Sequence, residues 1–130
     1  MVAGVVVVAP AQEPPAPSLH GGIYTVEQAD RGEVLYDARC TVCHGEIRAI
    51  VPGMAALLGD HTFRAKWRGR ALGELFALIR DTMPQDAPGT LSPSESAAIV
   101  AYILSGNRLP AGETALPEDE AALSDIAFDP

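Results

Sequence analysis

Apolar residues recur at helical spacing in the second half of the chain. One set occupies positions i, i+3, i+4 and i+7, which form a single face of a helix: Leu72, Leu75, Phe76 and Ile79. This helix is predicted to end before Pro84, because proline disfavours helical geometry at the preceding residue, Met83. A turn-rich loop containing Pro88 and Gly89 is predicted to follow.

The last predicted helix has the clearest boundaries. Ser92 is placed to cap it, Pro93 occupies its first position, and Glu95 completes a capping box. Its apolar stripe comprises Ile99, Tyr102 and Ile103. Gly106 fits the position just beyond the helix, where glycine commonly terminates it.

An earlier helix is predicted to begin at a second capping box, formed by Thr25 and Gln28, and to end at about Arg39. Residues 10–22 contain four prolines and two glycines and are predicted to be irregular. No internal repeat is visible, and no stretch alternates as a β-strand would. The pattern therefore predicts an all-α fold.

The charges divide the chain into two parts. All nine Lys and Arg residues lie between Arg31 and Arg108, whereas residues 113–130 carry six acids and no base. The net charge of −8 therefore belongs mostly to the end of the chain. We expect an ordered body over residues 23–112 and a loose acidic strap or tail over residues 113–130. The near-neutral body lacks the basic surface that nucleic-acid binding requires.

The chain opens with an apolar run, M-V-A-G-V-V-V-V-A-P-A-Q. The run and its Ala9-Pro10-Ala11 end are typical of a signal-peptide core with a cleavage site before Gln12, although no basic residue precedes them. A flexible apolar N-terminus is the alternative. The run is too short to span a bilayer, so we expect residues 1–22 to be an export remnant and leader, without stable membrane insertion.

The most informative motif is C-T-V-C-H, which contains the only two cysteines, Cys40 and Cys43, followed by His44. A redox disulfide of the thioredoxin type would follow a strand, and none is predicted before Cys40. A structural zinc site needs four ligands, and these residues supply three. Two inert cysteines are a third interpretation. The fourth is covalent haem attachment, with both thiols bonded to the porphyrin and the histidine as axial ligand.

Haem attachment is favoured because it requires a histidine at that one position, and because a small helical body gains stability from a covalently held macrocycle. In bacteria such attachment takes place outside the cytoplasmic membrane, so we expect a periplasmic protein. Its cofactor would be one haem c bound through Cys40 and Cys43, with His44 on the iron.

The second axial position decides the function. The candidate ligands are Met54, Met83, His61 and His20. Met83 is predicted, because it stands at T-M-P after a helix and far enough beyond His44 for the chain to reach the opposite haem face. A thioether ligand would close the iron and favour one-electron transfer. The alternative is a haem enzyme or sensor with an open iron, such as a peroxidase-like or gas-binding protein.

From about residue 23 to 117 the chain resembles the class I c-type cytochromes. It is similar to the monohaem domains and subunits associated with bacterial quinoprotein dehydrogenases. The matching segments are G-E-V-L-Y-D-A-R-C-T-V-C-H-G, Pro52, F-R-A-K-W, T-M-P, L-S-P-S-E and I-V-A-Y-I-L-S-G-N. The resemblance implies a small cytochrome c fold of about four helices wrapped round one haem, in a domain over residues 23–112.

The resemblance also implies roles for individual residues. Gly32 and Tyr36 would pack near Ile99 and Tyr102 where the first and last helices cross.

Two further roles concern the haem itself. Pro52 would supply the carbonyl that accepts the Nδ1–H of His44. Trp67 would lie near the haem propionates, although simple core packing explains a tryptophan there equally well.

The implied partners are redox proteins: a dehydrogenase as donor, and an oxidase or another cytochrome of the respiratory chain as acceptor. The protein itself would be an electron carrier or a cytochrome subunit of a dehydrogenase rather than an enzyme. Four bases surround Trp67, namely Arg64, Lys66, Arg68 and Arg70. We expect some of them to pair with propionates and others to guide an acidic partner.

Overall fold

The computed structural model describes residues 2–7, 18–47 and 58–130. Six α-helices lie in these ranges: α1 Val26–Arg39, α2 Thr41–His44, α3 His61–Trp67, α4 Leu72–Thr82, α5 Pro93–Gly106 and α6 Glu120–Leu123. Within these ranges the only β pairing is an isolated bridge between Ala71 and Ala127. The all-α prediction is therefore confirmed. None of the described helices is long and apolar enough to cross a bilayer.

Helices α1 and α5 cross at Gly32. A Cβ atom at this glycine would overlap the carbonyl oxygen of Ala98, so only glycine allows the two backbones to come this close. One turn further along α1, the ring of Tyr36 packs against that of Tyr102, with 5.3 Å between the ring centroids. The crossing implied by the family resemblance is thus confirmed.

The predicted capping box of α5 is present. Ser92 accepts a hydrogen bond from the Glu95 backbone N–H, and the Glu95 carboxylate accepts one from the Ser92 N–H. The expected role of Gly106 is wrong, because it is the last residue of α5 rather than the residue beyond it. Its small size is explained by Ile47, since a Cβ atom at Gly106 would lie 2.7 Å from an Ile47 methyl group.

Only half of the capping box predicted at α1 is formed. The Thr25 hydroxyl accepts a hydrogen bond from the Gln28 N–H, as predicted. The Gln28 side chain does not reach back to Thr25. It is buried, and its amide pairs with the Leu116 backbone by donating to the carbonyl at 3.1 Å and accepting from the N–H at 2.8 Å.

The expected C-terminal strap is present, but it is ordered rather than loose. The segment 113–130 places four apolar side chains in the core: Leu116, Leu123, Ile126 and Phe128. Its backbone also pairs with the start of α4, where the Leu72 N–H donates to the Ile126 carbonyl at 2.8 Å. The acids of this segment remain exposed to solvent. The segment is therefore an ordered strap that carries its charges on the outer side and its apolar residues on the inner side.

The four predicted face residues of α4 are all buried, and the helix ends at Thr82, in agreement with the sequence. The predicted cleavage site at residues 9–12 lies outside the described residues, and so do Pro52 and Met54. The division into a leader, a body and a tail at residues 22 and 112 stays a prediction.

Candidate functional site

The site is built on the junction of α1 and α2. Cys40 closes α1, since its N–H donates to the Tyr36 carbonyl at 2.8 Å. It also opens α2, because its own carbonyl accepts from the His44 N–H at 2.9 Å. The C-T-V-C-H motif is therefore one helical turn that emerges directly from the end of a long, well-packed helix.

Gly45 terminates this turn with a φ of 69°, a left-handed conformation that glycine adopts readily. Its carbonyl accepts a 2.8 Å hydrogen bond from the Tyr36 hydroxyl. The Tyr36 side chain is fully buried, and burial raises the pKa of its hydroxyl well above the usual value. The hydroxyl therefore stays protonated at physiological pH and remains a donor to the residue that follows His44.

Both thiols are free, with no disulfide between them. Cys40 is half-buried and Cys43 is exposed. Before haem attachment, burial is the main reason that the pKa of the Cys40 thiol is raised to about 11, so the unattached group is a neutral thiol at pH 7. Among the described residues, no three His, Cys, Asp or Glu side chains are grouped so that they could hold a metal ion together.

Met83 lies on a different element from the cysteines. It follows the last residue of α4, in extended conformation with φ −111° and ψ 147°, and its N–H closes the helix on the Ile79 carbonyl. Its side chain is half-buried. The other described candidates, His20 and His61, are both exposed, on a short 3-10 turn and at the start of α3 respectively.

Trp67 lies at the end of α3 and is buried. Its ring packs against Phe63, with 6.2 Å between centroids, and the Arg70 guanidinium stacks on it at 3.9 Å from the ring centroid. Arg70 also forms a 2.8 Å ion pair with Glu74. Core packing of Trp67 is therefore observed, while its expected contact with haem propionates stays a prediction.

Comparison with known families decides the identity. The family described as "Cytochrome C oxidase, cbb3-type, subunit III" matches residues 27–103, more than half of the chain. The chain belongs to this family of c-type cytochromes. No curated protein and no solved structure matches it.

Family membership establishes several properties of this cytochrome. It carries covalently bound haem c, it transfers electrons, and it works with redox partner proteins. The described residues fit this cofactor. Two free thiols and an imidazole arise from a single turn, which is the donor set that covalent haem attachment needs.

Some residues that shape the site of the cytochrome were not predicted. Ile47 is buried three residues after His44, and a Cβ atom at Gly59 would overlap its carbonyl oxygen. The Tyr36 hydrogen bond to Gly45 was also missed. The sequence held one signal for it, since a tyrosine in an otherwise apolar helix crossing usually has a partner for its hydroxyl.

Proposed function

We propose that this cytochrome is a periplasmic carrier of single electrons with a closed iron, held by His44 and Met83. The observation that carries the proposal is the C-T-V-C-H turn, in which both free thiols and the histidine follow the closing hydrogen bonds of α1. When bound, haem c supplies a one-electron couple at this turn.

Cys40 and Cys43 would hold the haem through thioether bonds, because the chain contains no other cysteine. His44 would be an axial ligand. Its orientation depends on the backbone on either side, which is fixed by the bond from its own N–H to Cys40 and by the Tyr36 bond to Gly45. Pro52 would contribute the outer hydrogen bond to the imidazole, and Trp67 would lie on the propionate side.

Met83 would provide a thioether ligand to the iron. Two features support this role. The residue is released from the helix at the end of α4, so its backbone is extended rather than helical. Its side chain is also only partly covered by the protein. A thioether ligand favours the ferrous state and leaves no open position for a substrate.

The proposed route of electrons runs from a dehydrogenase to the respiratory chain. Export is supported by the apolar opening run with its Ala9-Pro10-Ala11 end. The name of the family refers to a subunit of an oxidase, which favours a second placement in which the cytochrome delivers electrons within a terminal oxidase. Both placements require the same closed iron.

A potentiometric titration of the purified holoprotein, combined with a peroxidase assay, tests the proposal. The haem absorbance should follow a one-electron curve, and added hydrogen peroxide should not be turned over with an electron-donor dye. Extraction in acidic organic solvent should leave the haem on the polypeptide, because thioether bonds survive unfolding. Peroxide turnover, or haem that is removed by extraction, would contradict the proposal.

A further inference from the structure

A cavity of about 420 Å³ lies between the start of α3 and the end of α5. Three arginines line it, Arg64 and Arg68 from the α3 region and Arg108 from just beyond α5. Asn107, two glycines and Pro130 complete the lining. The volume falls within the range typical of small-molecule sites, roughly 300–1,000 Å³.

One of the three guanidinium groups is held in place by the protein. Arg64 donates a 2.8 Å hydrogen bond to the Gly59 carbonyl and contacts the Asn107 side-chain oxygen at 3.4 Å. Asn107 is fixed in turn, because its amide nitrogen donates to the carbonyls of Leu58 and Ile103. The position of Arg64 is therefore set before any ligand arrives.

The other two arginines keep their charges available. Arg68 and Arg108 are exposed, and neither forms an ion pair with any residue in the described ranges. Asp60, the acid next to the cavity-lining Gly59, is used to cap α3 through the Phe63 N–H. Positive charges that line one cavity repel one another, so an anion bound among them would stabilise the arrangement.

We propose that this cavity is a binding site for a small polyanion, a molecule that carries several phosphate or carboxylate oxygens. Arginine forks match such oxyanions with paired, charge-assisted hydrogen bonds. A concave site lined by three arginines suits a small ligand better than the flat surface of a protein. The proposal goes beyond the electron-transfer role, and it assigns Arg64 and Arg68 to this cavity instead of to the propionate or partner contacts expected from the sequence.

The test uses the holoprotein and isothermal titration with pyrophosphate, and with citrate as a carboxylate probe, at an ionic strength of about 0.15 M. One of the two probes should bind saturably. Replacing both free arginines, Arg68→Gln with Arg108→Gln, should weaken that binding about tenfold or more, since each lost charged hydrogen bond is typically worth a factor of this order.

Lys66→Gln is the matched control. It removes one positive charge from the same helix, but Lys66 does not line the cavity. Binding by this variant should stay within about twofold of the original, because an exposed charge that makes no direct contact with the ligand is largely screened. Far-UV circular dichroism checks that both variants remain folded.

Two results would overturn the proposal. One is that neither probe binds saturably. The other is that Lys66→Gln weakens binding as much as the double arginine variant, which would show diffuse attraction to a basic surface. Vesicles of phosphatidylglycerol distinguish the source of the anion. Binding to them that depends on Arg68 and Arg108 supports a headgroup phosphate, and binding of the free probes alone supports a dissolved ligand.

Discussion

The Tyr36 hydroxyl donates a 2.8 Å hydrogen bond to the carbonyl oxygen of Gly45, the residue that follows His44. This single bond connects the crossing of α1 and α5 to the haem-attachment turn, because the same tyrosine ring packs on Tyr102 of α5. The orientation of the histidine backbone is therefore coupled to the most closely packed part of the fold.

We expect Tyr36→Phe to lower the free energy of unfolding by about 1 kcal/mol, since the buried Gly45 carbonyl loses its donor. The haem should also respond locally. In a denaturant titration, the change in the Soret band should precede the change in circular dichroism, because the turn loosens before the helices unfold.

Tyr24→Phe is the control for this prediction. It also removes a bond from a buried tyrosine hydroxyl to a backbone carbonyl, that of Leu109, but at the end of α5 away from the turn. Tyr24→Phe should lower the free energy of unfolding by a similar amount, but the Soret band and the circular dichroism should change at the same denaturant concentration. If the Soret transition precedes the circular dichroism transition by the same amount in both variants, Tyr36 does not stabilise the haem-attachment turn specifically.

Gly32→Ala should destabilise the protein by about 1–3 kcal/mol, because the added Cβ atom overlaps the Ala98 carbonyl at the helix crossing. In an unobstructed helix the same change stabilises by roughly 0.5–1 kcal/mol. Thermal unfolding measures the difference, with the exposed Val34→Ala on the same helix as the control, expected within about 0.5 kcal/mol. A more stable Gly32→Ala variant would show that the helices do not approach this closely.

The capping box of α5 predicts a dependence on pH. The hydrogen bond from the Ser92 N–H lowers the pKa of the Glu95 carboxyl below its ordinary value of 4.5. A lowered pKa in the folded state means that the carboxylate stabilises the fold above pH 4.5, and that this contribution is lost as the pH falls through the folded-state pKa. We expect Glu95→Gln to be less stable than the original protein at pH 6 and to lose less stability on acidification.

Chemical unfolding of both proteins at several pH values, from neutral to strongly acidic, measures how their free energies of unfolding depend on pH. Asp81 also has a lowered pKa, caused by its hydrogen bond with Arg80, so it contributes to the acid loss of both proteins. Asp81 is present in both proteins, so the difference between their stability curves reports the contribution of Glu95 alone. Parallel stability curves for the two proteins would remove Glu95 from the explanation.

The acidic C-terminal segment is expected to be essential for stability. Phe128 is buried against Phe63, with 5.8 Å between ring centroids. Phe128→Ala should therefore cost about 3–5 kcal/mol. The neighbouring exposed Asp129→Ala should change stability by no more than about 0.5 kcal/mol. Similar small effects from both changes would restore the interpretation of a loose tail.

Local signals in the sequence predicted the boundaries of the three longest helices, with the exception of the stop at Gly106, but not the short helices α2, α3 and α6. The caps of α1 and α5, the apolar face of α4 and its end before Pro84 all depend on residues a few positions apart. The crossing at Gly32 was accessible only through the family resemblance, because nothing in the local pattern shows which backbone approaches that glycine.

Contacts between distant parts of the chain were missed. Gln28 has the spacing of a capping box, but its amide pairs with Leu116, which is remote in sequence. The apolar residues of the segment 113–130 are few and separated by acids, so composition concealed their burial. The cavity is lined by Arg108 together with Arg64 and Arg68. No local sequence pattern indicates that residues so far apart in the chain line the same cavity.

Carbon monoxide binding to the ferrous holoprotein tests the closed, Met83-ligated iron most directly. The spectrum of the original protein should not change under carbon monoxide, whereas Met83→Ala should form a carbon monoxide complex and have a lower reduction potential, because the thioether raises it. Met54→Ala is the control and should behave like the original protein. Carbon monoxide binding by the original protein would contradict a closed iron, and an iron opened by Met54→Ala but not by Met83→Ala would show that the other sulfur is the ligand.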